Sequence, residues 1–98
     1  MVKRIECKIS AERVSYDYLR WAQKMANRFG LTGIAFTNED GSMGIIAEGE
    51  DEKLSRFIRR ARSGHPIFHI FTTIINFSVK WHEPTNEYQN FSIPVQKD

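Results

Sequence analysis

The stretch from Thr32 to Ala61, TGIAFTNEDGSMGIIAEGEDEKLSRFIRRA, decides the fold. Thr32 to Asn38 reads as a strand, and the Asp40-Gly41 pair within Glu39-Asp40-Gly41-Ser42 marks a hairpin turn. Met43 to Glu48 is the returning strand, and Gly49 starts the next connection. Glu50, Asp51 and Glu52 then place acid at a helix N-terminus, where the backbone dipole favours it. Leu54, Phe57, Ile58 and Ala61 recur at helical spacing and give that helix an apolar stripe. Arg56, Arg59, Arg60 and Arg62 decorate its other faces, and Ser63-Gly64-His65-Pro66 stops it.

Upstream, Val2 to Ser10 alternates, with Ile5, Cys7 and Ile9 on one side and Arg4, Glu6 and Lys8 on the other. That pattern predicts a half-buried strand, with Cys7 as a small core hydrophobe. Ala11 to Tyr16 is a break. From about Asp17 a helical period puts Tyr18, Trp21, Ala22, Met25, Ala26 and Phe29 on one face, with Ser15 or Asp17 as N-cap. Gly30 stands where a C-capping glycine is expected. Downstream, Ile67 to Phe77 is long and apolar. Ile75, Phe77, Val79 and Trp81 alternate with Asn76, Ser78, Lys80 and His82, which predicts a fourth strand. Glu83-Pro84-Thr85-Asn86 breaks the pattern. Tyr88 to Val95 reads as a short final strand, ended or edged by Pro94. The order β-α-β-β-α-β with an extra C-terminal strand predicts an α+β, ferredoxin-like sandwich with two helices on one face of an antiparallel sheet.

Ninety-eight residues are enough for one domain, expected to span residues 1–98. A hydrophobic share of 41% against 27% charged residues excludes a disordered chain. Fourteen Lys and Arg against twelve Asp and Glu leave a formal charge of +2. That balance argues against a dedicated nucleic-acid binder, though not against a local basic patch. The lone cysteine excludes an intramolecular disulfide and a cysteine-cluster zinc site. There is no apolar run of the roughly 18 residues needed to span a bilayer, and the charged start Met1 to Glu6 lacks a signal-peptide core. The expectation is a soluble cytoplasmic protein.

Several short motifs recur in one order. They are Lys3-Arg4-Ile5, Gly30-Leu31-Thr32-Gly33, Asp40-Gly41, Ala47-Glu48-Gly49, Trp81-His82-Glu83-Pro84-Thr85 and Tyr88 with Phe91-Ser92-Ile93. In order and spacing they resemble the acylphosphatase family over nearly the whole chain. The connection before the fourth strand is about four residues longer than typical members have, on the resemblance that places that helix and strand. The resemblance implies hydrolysis of carboxyl-phosphate bonds without metal or cofactor. In such proteins a glycine-rich loop, G-x-V-x-G-V-x-[FY]-R, cradles the phosphate with backbone N–H groups and an arginine. An asparagine near the end of the second strand orients the attacking water.

In the gapless alignment this chain departs from that chemistry. The loop reads Ala11-Glu12-Arg13-Val14-Ser15-Tyr16-Asp17-Tyr18-Leu19 and contains no glycine. Leu19 stands at the arginine position and Thr37 at the asparagine position. Asp17 inside the cradle would repel a phosphoryl dianion. Arg20 and Asn38 lie one residue beyond the expected positions and are the fallback catalytic candidates. Using them requires a one-residue deletion inside the first helix. That deletion would rotate its core face by about 100°. The expectation is therefore a catalytically degenerate relative that acts as a binding or interaction domain, with a divergent acylphosphatase using Arg20 and Asn38 as the alternative.

Of the histidines, His65 and His69 are four apart, but Pro66 argues against a helix carrying both, so no metal site is expected. The Arg56, Arg59, Arg60 and Arg62 group reads as a solvated face balanced by Glu50, Asp51 and Glu52. The open sheet face, carrying Arg4, Glu6, Lys8, Asn76, Ser78, Lys80 and His82, has too few aromatics for RNA recognition. The segment 67–77 either covers the fold or offers an apolar surface to a second copy or a protein partner.

Overall fold

The structure is a computed structural model that describes residues 1–11, 16–63 and 74–94. In chain order it has β1 (Val2–Ala11), α1 (Tyr16–Arg28), β2 (Thr32–Thr37), β3 (Met43–Glu50), α2 (Asp51–Ser63), β4 (Ile74–His82) and β5 (Phe91–Ser92). The strands form one sheet in the order β4-β1-β3-β2-β5. The helix-facing residues of the central strands are the ones the alternation picked out. Ile5, Cys7 and Ile9 of β1 lie opposite Ala47, Ile45 and Met43 of β3. Both rows are buried under Ala22, Met25 and Ala26 of α1 and Leu54, Phe57 and Ala61 of α2. Complete burial of side chains such as Phe57, Ile45 and Leu54 contributes about 1.5–3 kcal/mol each.

Local signals set the element ends. Gly30 takes a positive φ of 72°, its N–H bonds the Asn27 carbonyl, and the Leu31 N–H reaches back to Ala26. This paired closure satisfies the last carbonyls of α1 and turns the chain into β2. Gly33 has φ 147°, and a side chain there would run into the Ile46 backbone carbonyl on β3. β3 continues through Gly49 to Glu50, two residues beyond the expected end, because β1 pairs with it down to Val2↔Glu50. α2 then starts directly at Asp51, whose N–H bonds the Met1 carbonyl.

Three expectations change. β5 is two residues long rather than running from Tyr88, and it pairs parallel with β2, so the sheet is mixed rather than wholly antiparallel. The chain must cross from β4 at one edge to β5 at the other. Four strand spacings are about 19 Å, which eight extended residues span easily. Ile75 does not join Phe77 and Val79 on the helix side. A bulge opposite Ser10 and Ala11 shifts the register, so Ile74 packs on the core and Ile75 is 69% exposed. The open face is only half as read. Next to the polar residues of β1 and β4, the β2–β3 half carries the half-buried Ile34, Phe36 and Ile46. Residues 67–73, His65, His69, Val95 and the candidate cap Ser15 lie outside the described residues. Among the described residues no helix is long and apolar enough to cross a membrane.

Candidate functional site

The loop between β1 and α1 is where the sequence placed a phosphate cradle; Glu12 to Ser15 lie outside the described residues. The residues that close it are clear. Tyr18 is buried, its hydroxyl donates to the Ala61 carbonyl at 2.8 Å, and its ring meets Trp21 at 5.6 Å. Burial, with a smaller contribution from Cys7, pushes the Tyr18 hydroxyl well above its ordinary value. Leu19 is also buried, at 2% exposure, and forms part of the core. The sequence reading had not put Leu19 on the core face. Its signal was present in the i, i+3 spacing to Ala22 and the i, i+7 spacing to Ala26.

Arg20 points elsewhere. It is exposed, and its guanidinium lies 5.9 Å from the centre of the Tyr16 ring. It lines a surface hollow of about 530 Å³ together with Trp21, Lys24, Arg28 and Arg60. Thr37 ends β2 directly opposite the buried Met43, so it faces the helix side and is half-buried. Asn38 is tied into the hairpin. Its N–H bonds the Ser42 carbonyl at 2.7 Å, and its side-chain amide donates to the Ser42 hydroxyl at 2.9 Å. That hydroxyl donates in turn to Asp40, which Lys8 also approaches at 3.1 Å. Hydrogen bonds from Ser42, aided by Lys8, hold the Asp40 carboxyl far below the usual range. Among the described residues no hydrogen bond or ion pair joins Arg20 to Asn38.

The strongest polar constellation lies on the opposite face of the sheet. Arg4 and Glu48 are cross-strand partners on β1 and β3, and both are at least nine-tenths buried. The Arg4 guanidinium donates to Glu48 at 3.0 Å, to Glu87 at 2.7 Å and to Thr85 at 2.9 Å, and its Nε donates to Glu6 at 3.3 Å. Glu48 also accepts from the Thr85 hydroxyl and from the Thr85 and Asn86 N–H groups, each at 2.9 Å. Burial alone would raise the Glu48 carboxyl; the Thr85, Asn86 and Arg4 donors outweigh it and lower it. The bond to Glu87, opposed by burial and helped by Glu48 and Glu6, raises Arg4. This network tacks the crossing segment to the sheet, and so places β5. With three carboxylates around one guanidinium, it has no surplus positive charge for an anion. The alternation of β1 put Arg4 on the face away from the core, but its pairing with Glu48 depends on strand order.

His82 is the one histidine among the described residues. His82 approaches Glu6 at 3.6 Å on the open face. No group of three or more acidic, histidine or cysteine side chains that could hold a metal occurs among the described residues. Burial pushes the Cys7 thiol up to about 12, so it is an unreactive core group.

Comparison with known proteins gives a consistent result. The sequence profile described as Acylphosphatase matches residues 15–93. The acylphosphatase of Thermotoga maritima is 25% identical over 92 residues, covering 94% of this chain and 97% of the relative. That of Lactobacillus gasseri is 40% identical over 45 residues, covering 45% of this chain and 50% of the relative, so the chain spans half the length of that protein. The crystal structure of acylphosphatase from Bacillus subtilis superposes with a TM-score of 0.83 at 22% identity, covering 97% of this chain and all of that one.

Proposed function

Given that the chain belongs to the acylphosphatase family, we propose that it uses the family's fold as a binding domain and lacks the family's phosphatase chemistry. The observation that carries this reading is Leu19. At the position where the family has its phosphate-binding arginine, this chain has an aliphatic side chain that is 2% exposed and packed in the core. It has no hydrogen-bond donor, and its burial leaves no room for a fixed cation there. Thr37, at the asparagine position, supports the same reading. The fallback pair supports it too: Arg20 lies on the helix layer, and the Asn38 amide is engaged by Ser42.

The binding role is proposed for the outer edge of β4, where Ile75 and Trp81 are 69% and 47% exposed. The occupant is a second copy of this chain, since a long edge strand with one charged residue, Lys80, is a template for pairing with its own kind. A cytoplasmic location goes with this reading, because Cys7 has no partner for a bridge within the chain.

An acyl-phosphate hydrolysis assay tests the first part. The expected result is no turnover above the uncatalysed rate at high protein concentration. Turnover that Arg20→Ala or Asn38→Ala abolishes would establish the divergent enzyme instead. Light scattering tests the second part. A dimer that Trp81→Lys dissociates is expected, and a monomer at all concentrations would remove the self-association.

A further inference from the structure

Folding separates charge that the sequence total hides. Eight of the fourteen basic residues but only three of the twelve acids lie on α1 and α2. The helix layer thus carries a formal +5 and the rest of the chain −3. The acids of both helices sit in their first turns. The hollow on this layer takes four of the cations, Arg20, Lys24, Arg28 and Arg60, against the single acid Asp17.

The arrangement is more than an excess of charge. Arg20, Lys24 and Arg28 repeat every four residues along α1, which places them about 6 Å apart on one stripe. All are exposed, and among the described residues none of the four cations forms an ion pair, whereas Arg56 on α2 is held by Glu52 at 3.3 Å. Two of the guanidiniums lie over aromatic rings, Arg20 over Tyr16 at 5.9 Å and Arg60 over Phe29 at 5.7 Å. The rings hold these cations at the hollow, and a guanidinium over a ring still offers N–H groups to an anion. Between the cations lies an apolar floor of half-buried Trp21 and buried Met25. At about 530 Å³ the hollow has small-ligand dimensions.

We propose that this hollow binds single-stranded nucleic acid, with backbone phosphates along Arg20, Lys24 and Arg28, Arg60 closing the far wall, and one base resting on Trp21. A track of cations beside an aromatic surface is the arrangement that single strands recognise: the phosphates supply affinity, and any base can stack. A duplex keeps its bases paired inside and gains nothing from the floor. The hollow shares Asp17 with the family's loop, but Lys24, Arg28 and Arg60 lie outside it, so substitutions at Lys24 and Arg28 test the proposal independently of the hydrolysis assay.

The test is fluorescence anisotropy of a labelled oligo-dT or oligo-U 12-mer with the full chain. With about four phosphate contacts, affinity is expected to fall about 50-fold between 50 and 200 mM salt. Lys24→Gln/Arg28→Gln is expected to weaken binding about tenfold at 50 mM salt. Lys8→Gln/Lys53→Gln, with the same change in net charge away from the hollow, should change it less than threefold. These positions are all exposed, so the variants should fold, as circular dichroism will show. No binding at 50 mM salt, or an equal loss in both double variants, would overturn the proposal. So would tighter binding to a duplex of the same length, to a nucleoside triphosphate or to phosphatidylserine vesicles.

Discussion

Leu19, which the proposed reading sets at the family's arginine position, is a core residue at 2% exposure. Truncation there should behave as a core deletion. Leu19→Ala is expected to cost about 3 kcal/mol in urea unfolding. The buried pair gives a second test. Glu48→Gln leaves Arg4 with fewer counter-charges and should cost about 2–3 kcal/mol. Both Glu48 and Glu87 have carboxyls lowered in the folded chain relative to 4.5. The unfolded chain therefore takes up protons first as the pH falls. Their stabilisation is complete above about pH 4.5 and is lost as the pH drops through the lower folded values. The midpoint of thermal unfolding should decline between pH 5 and pH 3 less steeply in Glu48→Gln than in the parent. An equal decline would show that other carboxylates govern acid sensitivity.

Among the elements, α1 depends on its C-terminal closure and β4 on its exposure. Gly30→Ala forces a side chain into the left-handed region at φ 72° and should cost about 1 kcal/mol, with no neighbouring atoms to clash. β4 is the edge that the sequence made hardest to read. Its alternation was visible, but the bulge beside Ala11 that turns Ile75 outward depends on the partner strand. Ile75→Lys is expected to leave unfolding unchanged within about 0.5 kcal/mol and to reduce self-association in light scattering. The helices and the β2–β3 hairpin were legible because their periods and punctuation are local: Leu54, Phe57 and Ala61 on one stripe, Asp40-Gly41 at the turn. β5 was not, because two residues carry no period, and its parallel pairing is set by the crossing segment that Glu48 and Arg4 hold down.

For the whole molecule, composition gave a near-neutral chain, and the fold resolves that sum into a basic helix layer over a more acidic remainder. No sequence total contains that division, since it depends on which elements share a layer. That Leu19 and Thr37 fall at the family's arginine and asparagine positions in the gapless alignment was legible from the sequence. Where Arg20 and Asn38 went was not: one faces the hollow between the helices, the other closes a turn. On the proposed reading, this chain retains the family's fold without its catalysis. Hydrolysis of an acyl phosphate by the purified chain at high concentration, with Arg20→Ala and Asn38→Ala alongside, decides it. A rate indistinguishable from buffer is expected for all three proteins. Turnover by the parent that either variant abolishes would contradict it.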